Sequence, residues 1–291
     1  MKRFIRYTAV LGAVMTVLGF GTAWAAKLNG GAWNGKEIWG TSIAIPFIGR
    51  RHHFEEGYHG YQEAEEAQKL DENTLVFPVT DDLNLELEAG KVTVKTGEAQ
   101  EIRVVCKDLE KMGDLVQFHR ETDEDEDELN IYIGPASAIG YLEVEVIVPA
   151  GYPFRNAEIF VGAGECDVEE LNADDLEIEV TAGTAKILNG TAGDAEFQCA
   201  AGNLEYTGTI TRDVQCECAA GKIGLTLFQE ETEFNYKVDG VGGNIQLGDS
   251  DLSGLAFERE FYHNAPREME LSCATGSIQV RFTDSKLEED L

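Results

Sequence analysis

Apolar and polar residues alternate on both sides of a glycine that recurs in the chain from about residue 75 onward. This alternation has the period of two that is typical of half-buried β-strands and not the period of a helix. From Gly164 through Gly183 and Gly202 to Gly221, each step is 19 residues. We interpret each repeat as a strand, a corner and a second strand, with glycine at the corner because it enters positive backbone angles without a side-chain clash. The seven corner glycines are Gly90, Gly164, Gly183, Gly202, Gly221, Gly243 and Gly276.

A repeat of about 19 residues is too small to bury a core alone and must bury it against its neighbours. The pattern therefore predicts an all-β fold, a β-solenoid or stacked β-roll, that covers residues 75–284 and has an apolar interior. It predicts an elongated stack with no substantial helix after about residue 75. Further strands are expected at Ile102–Cys106, Val116–Arg120 and Leu129–Ile133.

The amino terminus has a different pattern. A basic tip at residues 1–6 precedes an uncharged, largely apolar stretch at residues 7–26. Such a stretch forms a hydrophobic helix, either as an uncleaved single-pass anchor with a cytoplasmic amino end or as a signal segment. We favour the anchor, although Ala23-Trp24-Ala25 resembles a cleavage site and secretion after cleavage stays open. Both interpretations place the bulk of the chain outside the cytoplasm.

Residues 27–74 are rich in glycine, histidine and aromatic residues, and we interpret them as a linker with a short helix near residues 62–70. Imidazole and carboxylate groups in a short loop could bind zinc. The spacing matches no standard zinc pattern, so a solvated linker is the simpler interpretation. The candidate ligands are His52, His53 and His59, with Glu55 and Glu56 nearby.

Charge narrows the possible partners. The chain has a formal net charge of -31, with 54 acidic against 23 basic side chains. Such a surface repels phosphate, which argues against nucleic acid and anionic lipid as direct partners. Carboxylates at outward positions of the repeats could stack along one face, where a divalent cation or a basic partner would relieve their repulsion. A purely solvated face is the alternative. These positions are Glu158, Glu177, Glu179, Glu196, Glu217, Asp239 and Glu270, and residues 285–291 form a further acidic tail.

Two acidic loops are weak calcium candidates. Asp123–Glu128 is a run of six carboxylates between two expected strands, but it has no glycine to make the turn of a calcium loop. Asp249 and Asp251 lie in a second loop, which is more simply a turn.

Five of the six cysteines occupy positions that other repeats give to core residues, and the sixth, Cys106, lies in the expected strand Ile102–Cys106, where the sequence indicates no disulfide partner. Cys199, Cys218 and Cys273 stand where Val161 and Val180 stand in their repeats. A free cysteine packs as a small hydrophobe, so we expect core residues and not a disulfide framework. Oxidation of Cys199 with Cys218 on an adjacent repeat stays open.

The chain contains no Gly-x-Ser-x-Gly sequence and no phosphate-binding loop, and its histidines are remote from any candidate nucleophile. Solenoid enzymes that cleave acidic polysaccharides group basic residues with carboxylates, and the outward positions here carry few basic residues. We therefore expect no enzyme activity, no catalytic residues and no cofactor.

Three stretches carry a likeness to a known family, namely Leu142–Phe154 leading into Val161-Gly162-Ala163-Gly164, Gly240–Gly248 and Cys273–Phe282. On these residues the segment Leu83–Phe282, about two thirds of the chain, resembles the putative-adhesin β-strand-repeat family, the domain-of-unknown-function 4097 family. It implies a right-handed β-solenoid-like stack outside the membrane, often in single-pass envelope proteins of Gram-positive bacteria, with no catalytic residues. The histidine-rich linker and the unusually acidic surface depart from the family pattern.

The resemblance and the composition together predict a non-catalytic, membrane-anchored module that contacts an unidentified protein or glycan of the envelope or of another cell. The alternative is an accessory or sensory component of an envelope-stress system, coupled to another membrane protein through residues 7–26.

Overall fold

The alternation of apolar and polar residues becomes β-strand through most of the chain that the structure describes. The structure is a computed structural model, and it describes residues 59–60, 67–107, 115–122, 127–134 and 142–283. These residues belong to one unit, Glu56–Leu291, and a separate unit, Met1–Glu55, lies outside the described residues.

Twenty-one strands and one 3-10 helix, Glu231–Glu233, make up the described secondary structure. The first nine strands are β1 (His59–Gly60), β2 (Gln68–Lys69), β3 (Thr74–Pro78), β4 (Asp82–Leu87), β5 (Lys91–Gly97), β6 (Glu101–Cys106), β7 (Val116–Thr122), β8 (Asp127–Ile133) and β9 (Glu143–Pro149). The next six are β10 (Pro153–Val161), β11 (Glu165–Val180), β12 (Thr184–Cys199), β13 (Asn203–Ile210), β14 (Val214–Cys218) and β15 (Lys222–Leu227). The last six are β16 (Phe234–Gly240), β17 (Asn244–Leu247), β18 (Ser250–Ser253), β19 (Phe257–Phe261), β20 (Arg267–Cys273) and β21 (Ser277–Phe282).

Each repeat forms one rung of a stack, and equivalent strands of neighbouring rungs pair in parallel. We call the sheet built from strand segments before the corner glycines face A, and the sheet built from segments after them face B. Face A contains β8, β4, β10, the second half of β11, the second half of β12, β14, β20 and β16, in that order. Face B contains β9, β5, the first halves of β11 and β12, β13, β15, β21 and β17. The prediction of an all-β stack of repeats is confirmed.

The central rungs have a third, shorter face that the alternation did not reveal, which we call face C. It pairs residues 170–173 with 189–192, and these with 208–210. The alternation of buried and exposed positions shifts phase on either side of residues 170–173, because the chain turns a corner there. At the end of this face, the buried amide of Gln229 donates to the Ile210 carbonyl at 2.8 Å and accepts from its N–H at 2.9 Å.

The spatial order of the rungs differs from their order in the sequence. At one end, the outermost rung is β8/β9 and the next is β4/β5, although β4 and β5 come before β8 and β9 in the sequence. At the other end, β20/β21 is inserted between β14/β15 and the outer rung β16/β17, although it comes last in the chain. Long-range hydrogen bonding between distant segments therefore completes the stack at both ends.

Both ends of the stack are covered by antiparallel strands. β7 pairs with β8 and β6 with β9 at one end, and β19 pairs with β16 and β18 with β17 at the other. An uncovered parallel edge would present free backbone groups to other chains. The outermost strand of face A at the second end, β19, carries exposed charged residues at its centre, namely Glu258, Arg259 and Glu260.

The seven corner glycines form one column, in the spatial order Gly90, Gly164, Gly183, Gly202, Gly221, Gly276 and Gly243. The residue after each glycine donates its N–H to the carbonyl of the preceding glycine in the column, at 2.9–3.1 Å. Only Gly90 has the positive φ that we expected at the corners, at 115°. The reason for glycine at the other positions is close approach: a Cβ on Gly164 would lie 2.7 Å from the Gly90 carbonyl oxygen and 2.6 Å from a Leu87 methyl group.

The interior of the stack is a single continuous apolar core. All six cysteines are buried in it, as the register predicted. The larger core side chains include Phe197 and Tyr206, whose ring centroids lie 5.1 Å apart.

Several predictions concern residues outside the described ranges. They are the basic tip at 1–6, the hydrophobic helix at 7–26, most of the linker at 27–74, the Asp123–Glu126 part of the acidic loop, and the tail at 285–291. The prediction of a short helix near residues 62–70 is wrong for the described part of that segment, because Gln68–Lys69 is a strand paired with β3. Within the described residues, no helix is long and apolar enough to cross a membrane.

Candidate functional site

The outward carboxylates predicted from the repeats all lie on face A. Since the rungs are in register, Glu158, Glu177 and Glu196 stack directly, and the same column continues through Gln215 to Glu270. A second column, two residues further along each strand, contains Glu179, Gln198, Glu217, Ser272 and Asp239. Neighbouring side chains in a column are about 4.8 Å apart along the stack, so the prediction of carboxylates stacked on one face is confirmed.

A third acidic column runs parallel to these and was missed from the sequence. Asp175 pairs with Asp194, the backbone N–H of Asp213 donates to the Asp194 carboxylate at 2.9 Å, and the N–H of Glu268 donates to the Asp213 carboxylate at 2.7 Å. A signal was present, because Asp175, Asp194 and Asp213 are themselves 19 residues apart. It was overlooked because these aspartates lie at the corner between faces C and A, where the alternation shifts phase.

A groove of about 460 Å³ lies between the aspartate column and the first glutamate column. The residues between the two columns point inward, so the strand backbone forms the groove floor. Two outward positions on one strand are about 7 Å apart, and the five strands from β10 to β20 span about 19 Å. The groove is therefore the width of one extended chain and several residues long. In the part of the chain that the structure describes, the groove is lined by no lysine or arginine and by eight carboxylates, namely Glu158, Asp175, Glu177, Asp194, Glu196, Asp213, Glu268 and Glu270.

One arginine neutralises part of the aspartate edge. The Arg212 guanidinium contacts Asp194 at 2.7 Å, Asp175 at 3.2 Å and Asp174 at 3.5 Å. It therefore ties three rungs together at the corner. At the far end of the groove, Lys237 contacts Glu268 at 2.5 Å.

The glutamate columns are less well compensated. Burial, together with repulsion from Glu177 and Glu196, raises the pKa of Glu179 to about 7. Burial also raises the pKa of Glu217, with repulsion from Glu196 and two other carboxylates adding to it. Face A therefore holds negative charge at a cost that a bound cationic group would reduce.

This cost gives a pH-dependent prediction for Glu179. Its folded-state pKa lies above its ordinary value of 4.5, so ionisation destabilises the folded state as the pH rises from about 4.5 through 7. We expect Glu179→Gln to stabilise the protein by about 1 kcal/mol at pH 8, after allowance for solvent screening, and to have no effect at pH 4. Denaturant unfolding at the two pH values measures the difference. Glu143→Gln, which removes an exposed carboxylate of face B, is the control for the loss of one negative charge.

The metal candidates do not converge in the part of the chain described. Asp249 lies in the turn before β18 and Asp251 on β18, and both are exposed. Within the described ranges, no three histidine, cysteine or acidic side chains are placed to hold a metal ion. His52 and His53 lie outside those ranges, and His59 is described only as part of β1, which pairs with β7.

The fold and the groove define a class of protein, namely parallel β-repeat proteins with an extended acidic face. Within that class, the chain belongs to the Toastrack DUF4097 family, whose model matches residues 80–289. The predicted resemblance to this family is thus confirmed. No curated protein matched the chain.

Solved structures similar to this chain carry adhesion-related and lipid-related names. One is a putative cell adhesion protein from Clostridium sporogenes ATCC 15579, with 12% identity, a TM-score of 0.39 and coverage of 75% of this chain and 100% of the other. Another is a putative adhesin from Parabacteroides merdae ATCC 43184, with 11% identity, a TM-score of 0.35 and coverage of 75% and 97%. A third is a putative lipid binding protein from Parabacteroides distasonis ATCC 8503, with 12% identity, a TM-score of 0.32 and coverage of 75% and 97%.

Proposed function

We propose that this protein is a non-catalytic, extracytoplasmic module of the cell envelope that binds a basic segment of a surface protein in the groove of face A. The observation that carries the proposal is the groove itself, with eight lining carboxylates and no basic lining residue. Membership of the Toastrack DUF4097 family is compatible with this role. The adhesion-related names belong to the similar structures, and a role in adhesion is the form of surface binding we favour for this chain.

The dimensions and charge of the groove favour an extended basic polypeptide as the partner. One extended chain fits a groove about 7 Å wide, and its lysine or arginine side chains would reach carboxylates on both edges. Binding would also reduce the repulsion that raises the pKa of Glu179. A basic partner is attracted over a distance by the net charge of -31, which increases the association rate at low salt.

Binding of a decamer of lysine to the full chain tests the proposal. The groove variant replaces Glu177, Glu196 and Glu270 with glutamine, and its matched control replaces Glu143 and Glu205 with glutamine and Asp251 with asparagine. Both variants lose three negative charges, but the control residues lie outside the groove lining. We expect the groove variant to bind about tenfold more weakly, since three partly screened charge pairs are lost, and the control to bind nearly as the wild type does.

Equal losses in the two variants would mean that the lysine decamer responds to net charge alone, and the groove would not be the binding site. Retained binding in both would contradict the proposal as well. If a neutral glycan bound the chain and the lysine decamer did not, the partner would be a glycan and not a basic protein segment.

The membrane anchor at residues 7–26 and the surface location stay part of the proposal. The competing role is the accessory or sensory component of an envelope-stress system. Replacing residues 7–26 with an unrelated membrane segment should leave surface binding intact if the module acts through its groove. Loss of a stress response after that replacement, with no binding by the soluble repeat domain, would favour the sensory role.

A further inference from the structure

Three buried cysteines form a column on adjacent rungs near one end of the stack. Cys199 on β12 pairs in register with Cys218 on β14, and Cys218 pairs in register with Cys273 on β20. Each sulfur points toward the next rung, since a Cβ added to Gly221 would lie 2.5 Å from the Cys199 sulfur and one added to Gly276 would lie 2.6 Å from the Cys218 sulfur. Cys166 differs, since its register partners are Val92 and Ala185.

The spacing of the column suits a disulfide. In-register neighbours in a parallel sheet have Cα atoms about 4.8 Å apart, inside the range of about 4.4–6.8 Å that a disulfide spans. All three side chains point into the core, and each is at most 3% exposed. Cys218, in the middle, can bond with either neighbour, so the environment of the two outer thiols decides which pair forms.

The pKa directions of the two outer thiols differ. The interaction with Cys218 and the backbone N–H groups of Asn244 and Gly276 lower the pKa of Cys273, while burial opposes them. The pKa of Cys199 is raised, first by its interaction with Cys218 and then by burial. The thiolate is the nucleophile in disulfide exchange, so these directions agree with a first attack by Cys273.

Cys273 is also the member of the column closest to the end of the stack. Among the described residues, only the outer rung β16/β17 and the covering strands β18 and β19 lie beyond its rung, and most side chains of β18 and β19 are exposed. Gly240 is its register partner on the outer rung and places no side chain over it. Local opening of such a terminal layer costs less than opening of the central rungs, so Cys273 becomes accessible before Cys218 or Cys199.

We infer that Cys218 and Cys273 are a disulfide site that fastens the inserted rung β20/β21 to the preceding rung. The bond would close a loop that contains the segment between the two cysteines, including the outer rung β16/β17 and its covering strands β18 and β19. It would therefore hold in place the part of the stack that depends most on long-range pairing.

The bond forms by exchange with a small-molecule disulfide. The Cys273 thiolate attacks one sulfur of oxidised glutathione, a mixed disulfide forms, and one glutathione leaves as a thiolate. The Cys218 thiolate then attacks the Cys273 sulfur and releases the second glutathione. The two cysteines lose two electrons, one glutathione disulfide is reduced to two glutathione thiols, and the two cysteine protons pass to these products.

Mass spectrometry of the full chain tests this assignment. The folded protein is incubated with oxidised glutathione, and its remaining thiols are alkylated in denaturant before digestion. We expect a Cys218–Cys273 peptide pair, an alkylated Cys166, and a Tm that rises by about 5 °C or more, because the bond closes a long loop. Cys273→Ala should abolish both the pair and the shift in Tm, whereas Cys166→Ala should keep both.

Two outcomes would overturn the inference. One is a Cys199–Cys218 pair that appears first, since the order of reactivity would then be wrong. The other is complete alkylation of Cys218 and Cys273 after the folded wild-type chain has been incubated with oxidised glutathione, at a concentration that does oxidise the denatured chain. The two thiols would then have formed no disulfide in the folded protein.

Discussion

Replacing Gly183 with alanine should destabilise the protein by about 3 kcal/mol or more and lower its Tm by about 10 °C. Gly183 is buried in the middle of the glycine column, and the added Cβ would meet the Gly164 carbonyl oxygen and lie 2.7 Å from a Val161 methyl group. The oxygen accepts the N–H of Thr184 at 2.9 Å, so it cannot move without disturbing the pairing of two rungs. Thermal and denaturant unfolding of the variant measure the effect.

The matched control is Gly224→Ala. Gly224 lies on β15 of face B, where an added Cβ would have no neighbour closer than 3.9 Å. We expect this change to be neutral or to stabilise the protein by about 0.5 kcal/mol, because alanine restricts the unfolded chain more than glycine does. Equal losses at Gly183 and Gly224 would show that close approach of the rungs is not the reason for glycine at the corners.

Replacing Tyr206 with alanine should cost about 4 kcal/mol, since it removes a large aromatic ring from the centre of the stack. The Tyr206 side chain is fully buried, packs against the Phe197 ring and fills the space beside Gly190. Its hydroxyl group donates to the Thr209 carbonyl at 3.1 Å. Unfolding in urea should show a lower midpoint with an unchanged slope.

Tyr206→Phe separates the ring from its hydroxyl group. This variant keeps the packing and loses one hydrogen bond, so we expect a cost of about 1 kcal/mol. If Tyr206→Phe were as destabilising as Tyr206→Ala, the hydrogen bond to Thr209 would outweigh the packing of the ring, contrary to the core described above.

The two main faces of the fold could be predicted because they depend on local pattern. Alternation on either side of each glycine gives the inward and outward side chains directly, and the 19-residue spacing gives the register. Face C was missed because no glycine recurs at its corners: Gly193 stands at the corner in one rung, but Asp174 holds the equivalent position in the rung before it. The buried residues of face C are out of phase with those of the neighbouring faces. In the sequence, this phase shift resembles a simple interruption of the alternation.

The order of the rungs could not be predicted for a different physical reason. Seven rungs present the same alternation and a corner glycine, so the segment that contains Gly276 matches the rung of Gly221 as well as the segment that contains Gly243 does. Parallel pairing across a long connection is decided by packing of the whole core and not by local sequence. The departures from 19 residues, namely 74 from Gly90 to Gly164, 22 from Gly221 to Gly243 and 33 from Gly243 to Gly276, pointed to the ends.

The acidic face was predicted more completely than the groove. Outward glutamates follow from alternation alone, and all seven predicted carboxylates lie on face A. The groove requires the aspartate column at the corner as its second edge, and that corner was not foreseen. The proposal of an extended basic polypeptide as the partner requires both edges, because the two edges together set the width of the groove.

Carboxylate footprinting tests the proposed binding face most directly. The full chain is labelled at its carboxyl groups with a carbodiimide and an amine, in the presence and absence of the lysine decamer, and the labelled sites are read by mass spectrometry. We predict that the decamer protects Glu177, Glu196 and Glu270 and leaves Glu143 and Asp251 as reactive as before. Uniform protection of all five carboxylates, or protection of Glu143 and Asp251 alone, would contradict the assignment of the groove as the binding site.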